Sequence, residues 1–273
     1  MRFKFIQNII NTYIKIGSHI LQESYKKKLE IDYYKENIRT LILGSSHGAY
    51  GYRAMETEFN FCLASQDLYY SYKLYELYAK NLPNLKNIIL FYSVFSNGFL
   101  LDKTSEKERA IAYKKLFNIP ILNNCFFLKF KSLFFNMSLK KFKKAPITYN
   151  NGNEINYVFM NIPLNERIKQ HYKNNQRENK QNHWIKKLSD LAKENNHNLY
   201  IVLSPAKTAY KECLPNSKEL FKDLLNLVES INVTLIDLYD SNLFIDDDFG
   251  DYDHLTQKGA EKLSNYVREK IIT

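Results

Sequence analysis

Hydrophobic positions along this chain follow two alternating rhythms. Within residues 5–27, Ile6, Ile9, Ile10, Tyr13, Gly17, Ile20 and Leu21 recur at the three-to-four spacing of an amphipathic helix. Shorter unbroken apolar runs then alternate with such segments. The pattern predicts a strand at 39–43, a short strand at Phe59–Leu63 and a helix across 67–80. "NIILFYSV" (87–94) is apolar throughout, as in a parallel strand covered on both faces. Farther on, "HWIKKLSDLAKEN" (183–195) predicts a helix and "NLYIVLSP" (198–205) a buried strand. A helix at 217–230, the strand "VTLIDLY" (233–239) and a helix at 256–271 complete the series. This alternation predicts a layered α/β fold with right-handed crossovers. Ligands of such folds bind at the carboxyl ends of the strands.

Residues 99–177 interrupt the alternation and are expected to form a helical insertion or cap. The predicted organisation is therefore an N-terminal amphipathic helical segment, 1–37, and an α/β domain, 38–273, that carries the insertion. Within it, "CFFLKFKSLFFNMSLKKFKK" (125–144) sets Lys129, Lys131, Lys140, Lys141, Lys143 and Lys144 among phenylalanines and leucines. Two readings stay open: an interfacial membrane helix, or a core-facing helix whose lysines reach outward, with the second favoured.

The 273 residues, 45% hydrophobic and 25% charged, have the composition of a globular protein. The net charge of +10 comes mainly from lysine, and no helix-turn-helix, zinc-finger or RNA-binding aromatic motif accompanies it, so nucleic acid is not an expected partner. Cys62, Cys125 and Cys213 form neither a disulfide framework nor a zinc pattern. With no apolar stretch of membrane-spanning length and no signal-peptide pattern, a cytoplasmic location is expected, at the inner face of the membrane if the basic helices dock there. No cofactor is expected.

Two stretches carry candidate chemistry. In "LILGSSHGAY" (41–50) a buried strand stops at Gly44, and Ser45, Ser46 and His47 follow at its carboxyl end, a common way of exposing a nucleophile. In "FGDYDHLTQKGAEKLS" (249–264) Asp251 and His254 stand three residues apart, just before a helix with Thr256 as N-cap and Gly259 in its first turns. Acyl transfer needs a general base within reach of a serine and a carboxylate that orients the base. Among six histidines only His254 lies beside acids at a predicted strand–helix junction; His19 is on a helix, His171, His183 and His197 are in polar sequence, and His47 adjoins the serines. Asp246, Asp247, Asp248, Asp251 and Asp253 could ligate calcium, but their spacing lacks the glycine and terminal glutamate of a calcium loop. A solvated acidic loop is expected there, without a metal.

Taken together, the two ends resemble the SGNH (GDSL-like) hydrolase superfamily. "LILGSSH" looks like its first block, in the branch where Gly-Ser-Ser replaces Gly-Asp-Ser, and "DYDHLTQKGAEKLS" looks like its last. The resemblance implies a three-layer α/β/α sandwich with a mostly parallel, flavodoxin-like sheet. It makes Ser46 the nucleophile, His254 the general base and Asp251 its orienting acid. For the oxyanion hole it implies the Ser46 backbone N–H and two further donors. Ser65 in "NFCLASQD" stands where the family's second block has glycine; Asn97 in "FYSVFSNG" matches the third block without its usual glycine. The function implied is serine-dependent acyl transfer, by an esterase, deacetylase or O-acetyltransferase. Its substrate would be a carbohydrate of a surface glycan or its precursor, with an acyl donor and contact with anionic membrane as further expected partners. The irregular second and third blocks support an alternative, a non-catalytic or peripheral-membrane glycan-assembly protein that keeps the fold. Hydrolysis against transfer, and the oligomeric state, stay open.

Overall fold

The computed structural model describes residues 20–104, 106–122, 149–153, 161–173 and 180–271. The chain divides into two compact units: Met1–Tyr33 with Leu100–Asn150, and Tyr34–Phe99 with Asn151–Thr273.

In the first unit residues 20–34 are helical (α1), so this helix runs past the end that apolar spacing indicated. Its inner face continues through buried Leu21, Ser24, Lys27 and Ile31. A serine and a lysine on that face hide the period from a purely hydrophobic count. Leu21 packs with Ile111 and Ala112 of helix Arg109–Phe117, and Arg109 bridges Glu23 and Glu106. The basic segment 125–144 lies outside the described residues. No helix among the described residues is long and apolar enough to cross a membrane.

The second unit is built on five strands: β1 (Thr40–Leu43), β2 (Glu58–Asn60), β3 (Asn87–Tyr92), β4 (Asn198–Leu203) and β5 (Thr234–Asp237). They are all parallel, in the order β2-β1-β3-β4-β5. This is the flavodoxin-like order, and it opens a crevice where winding reverses, between β1 and β3. Every residue of β1 and β3 is buried, which explains their unbroken apolar runs. Ile42, Ile89, Phe91, Tyr200, Val202 and Ile236 face one side of the sheet. There they meet Ala49 of helix α2 (Ser46–Gly51) and Ala260, Leu263 and Val267 of helix α10 (Gln257–Lys270). By the two-residue alternation of strands, the buried Leu41, Leu43, Ile88, Leu90 and Ile201 face the other way. Helices α3 (Leu68–Tyr78) and α6 (His183–Glu194), packed on each other, bury Leu74, Tyr75, Ile185 and Leu188. The second unit is therefore an α/β fold with a parallel sheet flanked by helices.

Two elements depart from the sequence pattern for local reasons. β2 ends at Asn60 because the buried Asn60 amide takes over: its Oδ1 accepts the Cys62 N–H and its Nδ2 donates to Gly48 and Tyr52 carbonyls. The backbone nevertheless keeps to the edge of β1, with Phe61 N–H on Ile42 O and Leu63 N–H on Gly44 O. The expected helix at 217–230 is broken at Phe221 into Ser217–Leu220 and Lys222–Val228, where the buried Phe221 ring meets Tyr92 and Tyr239.

Candidate active site

Strand β1 leads directly into the site. Gly44 has φ +137°, and a Cβ there would lie 2.8 Å from Cβ of Phe91 on β3, so only glycine fits the bend. Ser45 remains extended, and α2 starts at Ser46. As the first residue of the helix, Ser46 has a backbone N–H without an intrahelical acceptor. Ser45 is buried while Ser46 is half-buried, so the second serine is the more accessible.

The C-terminal loop meets this corner. Asp251 Oδ1 accepts the backbone N–H groups of Asp253 and His254, at 3.0 and 2.8 Å. Its other oxygen lies 2.8 Å from Nδ1 of His254. One carboxylate thus folds the loop and orients the ring it precedes. An ionised carboxylate only accepts, so Nδ1 carries the proton and Nε2 offers a lone pair. Nε2 lies 2.9 Å from Ser46 Oγ. Burial raises the affinity of Asp251 for a proton, but its hydrogen bond and charge interaction with His254 reverse this and leave its pKa lowered. The loop is held to α10 by Thr256, whose N–H donates to Asp248 O and whose hydroxyl accepts from Gly259 N–H. Gly259 must be small, because a Cβ would approach Asp248 O to 2.3 Å.

A second buried group adjoins the first. Nε2 of His47 lies 2.8 Å from Oδ2 of Asp253. Arg167 Nε and Nη2 donate to the two oxygens of Asp253, each at 2.8 Å. Nδ1 of His47 faces two hydroxyls, Ser93 at 2.9 Å and Ser45 at 3.3 Å, and the Ser93 and Ser204 hydroxyls lie 3.3 Å apart. His171 contributes Nδ1, 2.9 Å from the Tyr210 hydroxyl and 3.7 Å from Asp253. The His47 and His254 rings stack, their centroids 5.1 Å apart. Burial lowers the pKa of His47 despite the Asp253 hydrogen bond and brings that of His171 down to about 3. Asp253 stays well below the ordinary carboxylate value: burial opposes ionisation, and the surrounding histidines and Arg167 favour it.

The acidic loop is solvated only in part: Asp246 and Asp247 are exposed, as its composition suggests, but two of its aspartates are not. Asp248 is 1% and Asp253 4% exposed, because Lys262 pairs with the first and Arg167 with the second. One atom from each of His47, Asp253 and His254 lie within 4.8 Å of one another, a spacing that could hold a metal ion. Arg167 already occupies both Asp253 oxygens and brings a positive charge, which disfavours a cation there.

Ser46, His254 and Asp251, expected from sequence, come together. Ser65 has φ +57°, a left-handed conformation usual for glycine, at the turn after β2. Asn97 does not join them: its Oδ1 accepts the Asn182 N–H at 3.2 Å and its Nδ2 donates to Asp223 at 3.1 Å. Its turn after β3 directs the amide toward helices rather than the serines. No motif in the sequence marks Arg167 or Ser93, and it marks Asp253 only as a possible calcium ligand and His171 only as a histidine in polar sequence. The one available signal was the four-residue spacing of Arg167 and His171, which puts both on one helical face.

Among solved structures, the fold is similar to that of a candidate acylhydrolase from Bacteroides fragilis, with 11% identity over 85% of each chain and a TM-score of 0.42. A candidate lipolytic protein of the G-D-S-L family from Desulfitobacterium hafniense is similar at 12% identity and a TM-score of 0.39, covering 85% of this chain and 99% of its own. No curated protein sequence matches this chain. One protein-family model matches residues 136–273, just over half of the chain, and the chain belongs to the family that this model describes.

Proposed function

We propose that the protein is a serine-dependent acyl-transfer enzyme with Ser46 as nucleophile, His254 as general base and Asp251 as the acid that orients it. The observation that carries this reading is the continuous chain from Asp251 Oδ2 through His254 to Ser46 Oγ, at 2.8 and 2.9 Å. Ser46 Oγ attacks the acyl carbonyl carbon as its proton moves to His254 Nε2. Collapse of the tetrahedral adduct leaves an acyl group on Ser46, and the leaving alcohol takes the proton from His254. Water or a second hydroxyl then repeats the cycle on the acyl-enzyme. The oxyanion donors of this reading are the backbone N–H groups of Ser46 and Ser65. Asn97, engaged elsewhere, is left out of it.

A carbohydrate hydroxyl is the proposed carrier of the acyl group, in a surface glycan or its precursor. That part rests on the resemblance read from the sequence. The test is hydrolysis of a nitrophenyl acetate combined with covalent labelling by a serine-directed phosphonate, with the labelled peptide identified by mass spectrometry. Label on Ser46 is the expected result. Label confined to Ser45 or Ser93 would transfer the chemistry to His47, which faces both hydroxyls. Absence of any label would favour a non-catalytic glycan-assembly role.

A further inference from the structure

We infer that Arg167, Asp253 and His47 form a positioning chain that keeps His47 uncharged with its proton on Nε2, so that its ring can lie against His254 while its Nδ1 anchors the serines at the strand ends. This rests on the Ser46–His254 reading and adds residues that the reading does not use.

The chain starts from a charge. Arg167 places two donors on Asp253, one per oxygen at 2.8 Å, a two-point match that holds the carboxylate ionised and in one orientation. An ionised carboxylate accepts only, so the 2.8 Å contact from His47 Nε2 requires the proton on that nitrogen. Nδ1 then offers one lone pair, with the Ser93 hydroxyl at 2.9 Å and the Ser45 hydroxyl farther off at 3.3 Å. Ser45 follows β1 and Ser93 follows β3, so a single imidazole ties the ends of two neighbouring strands beside Ser46.

The ring's charge state then decides how His254 works. His254 must accept a proton in each turnover, and His47 stacks on it at 5.1 Å. A second cation at that distance would oppose the transfer. The groups facing His47 are Asp253, Arg167, His254, Ser45 and Ser93, with His171 at 6.4 Å between centroids and the Phe95 ring at 5.6 Å. His171 is itself engaged with the Tyr210 hydroxyl. Arg167 and Asp253 cancel, so no unbalanced carboxylate is left to draw a proton onto His47. Removing Arg167 uncovers that carboxylate, and His47 should then take a proton in mildly acidic solution.

The experiment uses the full chain, with histidine nitrogens read by NMR and the rate of Ser46 phosphonylation followed from about pH 5 to about pH 9, the range over which a histidine switch would act. In the wild type His47 should stay neutral with its proton on Nε2 throughout. In Arg167→Met the acid limb of the labelling profile should move to higher pH by about one unit, a roughly tenfold slower reaction at about pH 6. Arg167→Lys, which keeps the charge, should return the limb toward its wild-type position. A profile of unchanged shape in Arg167→Met, merely slower at every pH, would overturn the inference and leave Ser46 as nucleophile. So would wild-type His47 found charged or with its proton on Nδ1 near neutral pH, a reading that holds even if the variant does not fold. Failure of the wild type to label at Ser46 is a separate outcome: it removes the nucleophile reading and with it the role assigned to this chain.

Discussion

At the scale of single residues, the candidate site divides its labour between two carboxylates two positions apart. Asp251 serves its own loop and His254; Asp253 serves Arg167 and His47. They alternate in sequence and point to different imidazoles, so their substitutions should separate. Ser46→Ala and His254→Ala should each lower ester turnover by about a thousandfold or more, and the double variant should be scarcely worse than either, because the pair acts as one unit. Asp251→Asn should cost less than either single loss. The asparagine oxygen can still accept the backbone N–H groups of the loop, while its amide would present a donor to Nδ1 and favour the wrong tautomer. Steady-state rates of the four variants check this. Losses that multiply between Ser46 and His254 would refute the paired assignment.

Elements position these residues by close approach. α2 begins two residues after the bend at Gly44, which lies against Phe91, and α10 begins where Gly259 lies against Asp248. Gly44→Ala meets two obstacles at once, the φ of +137° and the Phe91 contact. It should destabilise the fold by about 2–5 kcal/mol, combining backbone strain with overpacking. Thr256→Ala removes an N-cap and the hydroxyl's bond to Asp248 O, without backbone strain, and should cost about 1 kcal/mol. Urea unfolding of both variants measures the contrast; equal costs would mean that the β1 bend is not held as tightly as the Gly44–Phe91 approach implies.

For the molecule as a whole, buried histidines set the response to acid. His47 and His171 have pKa values lowered by burial, the latter to about 3, against about 6.5 in an unfolded chain. The unfolded state therefore binds more protons below that value, and stability must fall as pH drops through it. Each such histidine contributes a slope of up to about 1.4 kcal/mol per pH unit while it stays neutral in the folded state. Asp251 and Asp253, whose pKa values are lowered, add stability that is present above about 3.9 and lost only as pH falls further. Melting temperature should thus begin to decline below about pH 6.5, well before the carboxylates titrate. His171→Gln should flatten the first part of that decline, and an undiminished slope in this variant would assign the effect elsewhere.

By itself the sequence determined what depends on near neighbours. Apolar runs marked the strands because both faces of a parallel sheet are covered, and the Gly44 corner was legible from one residue with unusual backbone freedom. The Asp251–His254 contact was legible too, since three residues of loop suffice to bring a carboxylate to a ring. Only the tertiary structure decided the rest. Ser46 and His254 stand 208 positions apart, and they meet because β1 ends, and α10 begins, at the same edge of one sheet. The same holds for Arg167 and Asp253, which are 86 apart. Nothing local distinguishes a buried, paired aspartate from its solvated neighbours, because burial and pairing belong to the surroundings that folding supplies. Asn97 shows the converse. Its residue type and order matched an expected donor, but the direction of an amide is set by its partners, here Asn182 and Asp223, which no spacing along the chain reveals.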